Sequence, residues 1–209
     1  MELESWQNLG GVYTMAMLTL GILGSGSGSN MQAILDAIQS GKLHARIALV
    51  LSDNPDGYIL ERAKNHGIPA ELIDCSPHKT KFAEEIQKET ADKLKRAGVD
   101  LVCLAGFMRL VKNPLLDAFP ARILNIHPSL LPAFPGIEAW KQAIAAGASE
   151  TGVTVHVVDS GMDTGPMIVQ KSVPIDPSDT PQSLHERIQI VEHQLYPEAI
   201  TTYAQRLEL

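Results

Sequence analysis

The fold is decided by residues 18–40, LTLGILGSGSGSNMQAILDAIQS. This stretch opens with a short apolar run, passes through glycines that alternate with serines, and ends in a segment that we predict to be helical. A strand, a glycine loop and a helix in this order form the first unit of a parallel α/β sheet.

The rest of the chain repeats this alternation of apolar runs and helical patterns. The predicted strands are rich in Val, Ile and Leu, as expected of parallel strands that are covered on both faces. They are Leu18–Leu23, Arg46–Leu51, Ala70–Ile73, Asp100–Ala105, Arg122–His127, Thr151–Asp159 and Met167–Pro174. The predicted helices are Asn30–Ser40, Tyr58–Gly67, Thr80–Gly98, one around Ala139–Ala146, and one from Thr180 to about Gln205. We therefore predict a single-domain, Rossmann-like open α/β sheet, mostly parallel, with helices on both faces.

Composition limits the class of protein. The 209 residues are 44% hydrophobic and 20% charged, which is typical of a folded globular domain. Their 17 Lys and Arg against 24 Asp and Glu give a net charge of −7, which argues against a surface that mainly binds nucleic acid but leaves room for a local anion pocket. Cys75 and Cys103 are predicted to be reduced thiols, which favours the cytoplasm.

Residues 1–16 are predicted to be an N-terminal extension, in which disorder is allowed, that precedes a domain over residues 17–209. Glu2 and Glu4 precede an uncharged run, and no Lys or Arg occurs before Lys42, so the basic start of a signal peptide is missing. The run is interrupted by Gly24, well short of the roughly 20 apolar residues of a membrane span. We expect no membrane association.

The glycine loop, residues 24–30 (GSGSGSN), is a candidate phosphate site. Glycine allows close backbone approach, and the helix behind the loop presents free N–H groups to an anion. The loop lacks the Lys of a P-loop, and Ser29 stands where a dinucleotide loop has its third glycine, so a nucleoside triphosphate or dinucleotide is disfavoured. The alternative is a simple turn in which Ser29 or Asn30 caps the helix.

A second candidate site starts with Asn125 and His127 at the end of a predicted strand. Residues two apart in a strand face the same side, so the amide and the imidazole are expected to point into one space, where Pro128 ends the strand. Ligands of open α/β sheets bind at the carboxyl ends of the strands. Asn can stabilise a developing oxyanion, and His can donate a proton or carry charge. A structural histidine remains the alternative.

The acidic turn 159–166 (DSGMDTGP) is predicted to supply the partner of His127. Asp163 is the stronger choice, because a carboxylate there would orient the imidazole and raise its pKa. Alternatively, Asp159 and Asp163 only form turns. His156 lies near the same crevice. We interpret it as a structural histidine, with a catalytic role as the alternative. Spacings such as His-Glu-x-x-His and paired cysteines are missing, so we predict no metal site.

Five motifs together resemble the folate-dependent formyltransferases. They are Gly26–Asn30, Ala105–Arg109, Asn125–Pro132, Asp163–Pro166 and Glu192–His193, and the similarity extends from about Leu18 to about Tyr203. The resemblance implies the formyltransferase fold and, most closely, transfer of the formyl group of 10-formyltetrahydrofolate, a co-substrate, to the amine of glycinamide ribonucleotide in purine biosynthesis. It implies a monomer or a homodimer.

The resemblance also implies roles for particular residues. Asn125, His127 and Asp163 match the catalytic trio. The matches to the ribonucleotide site are Gly28, Ser29 and Asn30 at the phosphate, with Gln189 and Glu192. The matches to the folate site are Met108, Arg109, Leu110, Val111, Asp159 and Asp163, with the turn Asp159–Asp163 around the pterin. Residues 137–140 (IEAW) depart from members that carry His there, which affects only local loop contacts.

Three alternatives are weighed against this assignment. Methionyl-tRNA formyltransferase uses the same chemistry but needs a second, basic domain. Formyltetrahydrofolate hydrolase shares the trio but would carry an N-terminal regulatory domain and lack the glycine loop. A nucleotide-binding dehydrogenase would use Asp53 at a ribose hydroxyl, but it leaves Asn125, His127 and Asp163 without a role.

Overall fold

Seven strands and six helices occur in residues 17–78 and 81–209, which the computed structural model describes. The strands are β1 (Leu18–Leu23), β2 (Ala45–Ser52), β3 (Ala70–Leu72), β4 (Leu101–Leu104), β5 (Ile123–His127), β6 (Glu150–Val157) and β7 (Met167–Pro174). The helices are α1 (Ser29–Gln39), α2 (Tyr58–Asn65), α3 (Glu84–Arg96), α4 (Leu115–Ala118), α5 (Ala139–Ala145) and α6 (Pro181–Arg206). The predicted extension, residues 1–16, lies outside the described residues.

The strands form one sheet in the order β3-β2-β1-β4-β5-β6-β7. The pairs from β3 through β5 are parallel, and β6 and β7 are added antiparallel. This confirms the prediction of a mostly parallel open α/β sheet. The chain reverses its direction of winding between β1 and β4, so the carboxyl ends of these strands border the crevice where such sheets bind ligands.

The antiparallel pairing of β5 with β6 sets the register of the polar residues. Asn125 lies opposite His156, and His127 lies opposite Thr154. Side chains of opposed residues stand on the same face of a sheet, so His156 is brought beside Asn125. This neighbour depends on pairing between segments that are distant in sequence.

Two hydrophobic clusters cover the two faces of the sheet. The side chains of β1 point alternately to the two faces of the sheet. Leu18, Leu20 and Ile22 pack in the cluster with α1 and α6, and Leu23 packs in the cluster with α3 and α4. Gly21 lies under the end of α3, and a Cβ there would stand 2.5 Å from Leu94 Cδ2. The helices therefore cover both faces, as predicted.

The predicted boundaries differ from the observed ones by up to four residues. Helix α3 begins at Glu84 instead of Thr80, because Ala83 is extended with ψ 152° and Phe82 packs edge-on against Phe107 at 5.4 Å between ring centroids. Residues 79–80 themselves lie outside the described residues. Strand β6 ends at Val157 instead of Asp159. The sequence did not predict the short helix α4.

Cys75 and Cys103 are buried free thiols, and burial raises the pKa of Cys103 to about 12. Within the described ranges, no helix is long and apolar enough to cross a membrane.

Candidate active site

The glycine loop after β1 wraps over the amino end of α1. Gly28 precedes the helix in the left-handed region, at φ 75°, and no side chain caps the helix there. A Cβ on Gly28 would stand 2.8 Å from Ile59 Cα, so the neighbouring helix α2 also requires glycine. The simple capping role considered for Ser29 or Asn30 is therefore wrong, and the first N–H groups of α1 keep the geometry that suits an anion.

Asn30 and Glu192 meet below this loop. Asn30 Nδ2 donates to Glu192 Oε2 at 3.0 Å, and both side chains are buried. Burial raises the pKa of Glu192 to about 7, although the hydrogen bond from Asn30 opposes the shift. Asn30 Oδ1 is buried and has no hydrogen-bond partner in the described part of the chain. Gln189 is half-buried on α6, three residues before Glu192.

Asn125, His127 and Asp163 converge at the carboxyl end of β5. Asn125 Nδ2 donates to Asp163 Oδ1 at 3.4 Å, and His127 Nδ1 lies 3.4 Å from Asp163 Oδ2. The structure thus brings together the three residues that the sequence singled out, across 38 positions of the chain. The ends of β1 and β5 are separated by β4 alone, or about 10 Å at two strand spacings, so the trio lies within reach of the glycine loop.

The backbone conformation of Asp163 and a hydrogen bond to its carboxylate fix the position of this side chain. It is a non-glycine residue at φ 56°, a conformation that Asp and Asn tolerate better than most residues. Gly136 N–H donates to Asp163 Oδ2 at 2.8 Å. Burial alone would raise the pKa of Asp163, but hydrogen bonding from His156 and Gly136 and the charge of His127 make the net shift downward. The carboxyl group is therefore ionised at neutral pH.

Both ring nitrogens of His127 face oxygen atoms. Its Nε2 lies 2.9 Å from Phe134 O, a carbonyl that only accepts, so Nε2 carries the hydrogen. Its Nδ1 faces the Asp163 carboxylate, which favours a second proton and the imidazolium form. Burial is the largest influence and lowers the pKa of His127, against the raising effects of Phe134 O and Asp163.

His156 stands behind the trio and is almost fully buried. Its Nδ1 donates to Val157 O at 3.0 Å, and its Nε2 lies 3.2 Å from Asn125 Nδ2. Its Nε2 also lies 3.6 Å from Asp163 Oδ1. The sequence interpretation of a structural histidine fits these internal bonds, but the residue contacts two members of the trio.

Residues 108–111 alternate between solvent and interior. The side chains of Met108 (62% exposed) and Leu110 (40% exposed) are open, whereas Val111 is buried, and Arg109 Nε donates to Asp53 Oδ2 at 2.6 Å in a buried ion pair. Only part of the predicted folate segment therefore presents side chains to a ligand.

Asp53 is fully engaged within the protein. Its Oδ1 accepts from Ser25 Oγ at 2.5 Å, and its Oδ2 accepts from Arg109. The ribose contact that a dehydrogenase would require of Asp53 is thereby excluded. In the acidic turn, Asp159 Oδ1 accepts from Gly161 N–H at 2.9 Å and from Thr164 Oγ1 at 2.7 Å, so Asp159 shapes the turn that carries Asp163.

A groove of about 940 Å³ lies between α1 and α6. It touches the glycine loop at Ser29 but contains no member of the trio. Its charged lining is mixed, with Asp36, Lys42, Arg62 and Glu198. In the ranges described, no group of three His, Cys, Asp or Glu residues could hold a metal ion. The converging trio, and not the groove, is the candidate active site.

Sequence reasoning missed two backbone groups of this site. Phe134 O and Gly136 N–H come from the proline-rich loop after β5 and contact His127 and Asp163. The run of prolines and Gly136 indicated an irregular loop. It did not indicate that this loop folds back over the end of β5.

An amide, an imidazole and an ionised carboxylate at the rim of a parallel sheet form an enzyme site suited to acyl transfer, where charge develops on a carbonyl oxygen. Comparisons with known proteins identify the family within this class of enzyme. The formyl transferase family model matches residues 19–200, and the chain belongs to that family.

The relatives and solved structures agree with this membership. The chain is 42% identical to the phosphoribosylglycinamide formyltransferase of Bacillus subtilis over 88% of this chain and 93% of that protein. It is 46% identical to the trifunctional purine biosynthetic protein adenosine-3 of Drosophila melanogaster over 86% of this chain, and it spans only 13% of that protein.

Among solved structures, glycinamide ribonucleotide transformylase 1 from Symbiobacterium toebii matches with a TM-score of 0.86 and 50% identity, covering 90% of this chain and 88% of that one. Phosphoribosylglycinamide formyltransferase from Bacillus halodurans matches with a TM-score of 0.84 and 45% identity, covering 89% and 95%. The formyltransferase fold expected from the motifs is confirmed.

Proposed function

We propose that the chain transfers the formyl group of 10-formyltetrahydrofolate to the amine of glycinamide ribonucleotide, giving formylglycinamide ribonucleotide and tetrahydrofolate in purine biosynthesis. The observation that carries the proposal is the convergence of Asn125, His127 and Asp163 beside an uncapped helix behind a glycine loop. We further propose a cytoplasmic monomer or homodimer that acts on small molecules, without nucleic-acid or membrane partners.

The ribonucleotide binds with its phosphate at the amino end of α1. Gly28, Ser29 and Asn30 surround the free N–H groups there, and a phosphate is the anion that such a helix end favours. Asn30 Oδ1 and the carboxyl group of Glu192 are acceptors for hydroxyl or amine hydrogens, and Gln189 lies beside them. Bound this way, the amine end of the substrate extends across β4 toward Asn125.

The folate binds between the segment that follows β4 and the turn that carries Asp163. The open apolar side chains of Met108 and Leu110 suit a planar ring, and the turn Asp159–Asp163 offers polar backbone groups at its edge. These residues fit the co-substrate, which supplies the formyl group.

The trio then acts on the formyl group as the amine attacks its carbon. Asn125 donates to the formyl oxygen as negative charge develops, since both of its internal contacts, at 3.2 and 3.4 Å, are long enough to yield to a stronger acceptor. His127 presents Nε2–H to the same oxygen in place of Phe134 O. Asp163 stabilises the imidazolium and assists transfer of a proton from the attacking amine to the departing folate nitrogen, as the new C–N bond forms and the old one breaks.

The test mixes the purified protein with glycinamide ribonucleotide and a 10-formylfolate analogue and follows the deformylated folate by absorbance. We expect release that depends on the ribonucleotide. Release at the same rate without the ribonucleotide would instead identify a formyltetrahydrofolate hydrolase. No release, with turnover of a nicotinamide cofactor on another substrate, would favour a dehydrogenase.

A further inference from the structure

The buried ion pair between Arg109 and Asp53 lies next to the folate segment but is not explained by the proposed chemistry. The resemblance gave Arg109 a place among the residues that contact folate. Both side chains of the pair are only 7% exposed, and the two atoms that meet, Arg109 Nε and Asp53 Oδ2, lie 2.6 Å apart. A guanidinium so placed has most of its surface turned to protein.

The other contacts of Arg109 are also internal. Its Nη1 donates to His78 O at 3.1 Å and to Lys81 O at 2.8 Å. These carbonyls lie on either side of residues 79–80, so the guanidinium holds the loop before α3 against the loop after β4. The planar donors of Arg suit several acceptors at fixed angles, which a flexible ammonium group cannot match.

Asp53 extends the network to the glycine loop. Ser25 Oγ donates to Asp53 Oδ1 and accepts from Met108 N–H at 2.9 Å. The backbone of the same loop is joined to the folate segment by Ser25 N–H, which donates to Gly106 O at 3.0 Å. The network therefore fixes the backbone at Met108, the residue whose exposed side chain precedes Arg109.

We infer that Arg109 and Asp53 are positioning residues that fix the backbone of residues 106–110 for the folate, and that Arg109 is not a ligand of the folate carboxylates. This inference rests on the proposed function only for the identity of the ligand. Removing either charge leaves the other buried and unpaired, and the segment loses its shape. Preorganisation of this kind acts on binding of the ligand that the segment meets.

The experiment compares Arg109→Met and Asp53→Asn with two co-substrates, a 10-formylfolate analogue and its counterpart without the glutamate tail. We expect both variants to lose about ten- to a hundredfold in kcat/KM, mainly through KM for the folate, and by the same factor with both co-substrates. Arg109→Lys retains a charge for Asp53 and should recover part of the loss. Arg96→Met and Asp92→Asn, on the exposed face of α3, are the matched controls and should behave as the unaltered protein.

A carboxylate ligand would give the opposite pattern. The loss would then appear with Arg109→Met only, would disappear with the tail-free co-substrate, and Asp53→Asn would bind the folate as well as the unaltered protein or better. Either of these results would overturn the inference.

A measurement without ligand separates this inference from the proposed function. Hydrogen exchange at the Met108 amide should accelerate at least about tenfold in Arg109→Met and Asp53→Asn, because its acceptor Ser25 Oγ is held by Asp53. Unchanged exchange at Met108 would overturn the inference even if the transferase assay succeeds. Absence of transferase activity in the unaltered protein, with faster exchange in both variants, would count against the proposed function alone.

Discussion

Asp163→Asn removes the charge of the catalytic carboxylate, and the long hydrogen bond that its Oδ1 accepts from Asn125, while keeping its shape. Asn accepts the hydrogen bond from Gly136 N–H as Asp does, and it tolerates the φ of 56° at this position. The substitution therefore removes one negative charge that lies 3.4 Å from His127 Nδ1, with little change in backbone geometry.

The size of the effect follows from this separation. At 3.4 Å, the attraction between two unit charges is about 5 kcal/mol at an effective dielectric constant of 20 and about 1 kcal/mol in bulk water. Its loss lowers the pKa of His127 further, in the direction in which burial already moves it. At about 1.4 kcal/mol per factor of ten, losing about 1 to 5 kcal/mol should lower the imidazolium fraction at neutral pH, and with it the rate, about tenfold to a few thousandfold.

The assay is kcat/KM from about pH 5.5 to 9 for the unaltered protein and Asp163→Asn. The deficit should shrink toward low pH, where His127 is protonated even without Asp163. Asp176→Asn, in the exposed turn after β7, is the matched control and should show no loss. A variant with normal activity, or with a deficit that is constant across pH, would refute the reasoning.

Three further substitutions test other parts of the site. Asn125→Ala removes an oxyanion donor and should reduce kcat about a hundredfold, or about 3 kcal/mol, with an unchanged melting temperature; near-normal turnover would contradict its role. Glu192 has its pKa raised from 4.5 to about 7 by burial, so the folded protein keeps a proton that the unfolded chain loses between these values, and the free energy of unfolding should fall by about 3 kcal/mol as pH rises through that window. Urea unfolding of the unaltered protein and of Glu192→Gln at pH about 5 and 8 isolates this fall as the difference between the two, because both keep the histidines whose lowered pKa values act in the opposite direction; an equal change in the two proteins would exclude Glu192 as its source. Gly28→Ala places a Cβ 2.8 Å from Ile59 Cα in a left-handed conformation, so it should cost at least about 1–2 kcal/mol and raise the ribonucleotide KM, whereas Gly26→Ala, with open space around it, should not lower the melting temperature. Equal melting temperatures for the two glycine variants would show that the loop relaxes freely.

Local sequence patterns were sufficient to predict the strand, the glycine loop and the helix beside the site. The apolar run of β1, the glycines and α1 follow one another directly, so their geometry depends on neighbouring residues. Asn125 and His127 share a face because strands alternate. Asp163 was predicted as their partner from its turn-rich context, and the structure brings all three together.

Other features depend on contacts between distant segments, and no local pattern reports them. Arg109 resembled a ligand residue, but its burial arises from Asp53, which lies 56 positions earlier. His156 neighbours Asn125 only because β6 pairs antiparallel in one register. Helix α3 begins late because Phe82 packs on Phe107, and a helical pattern alone could not reveal this competing contact.

The pairing of β5 with β6 has a consequence for how this chain can vary. Residues 137–140 lie in the connection between these strands, and the part of that connection after Gly136 can lengthen or shorten while Asn125 still faces His156. One residue inserted inside β6 before His156 would turn the imidazole to the opposite side of the sheet and bring a valine beside the carboxamide. We therefore expect insertions to be tolerated better between Gly136 and Glu150 than inside β6.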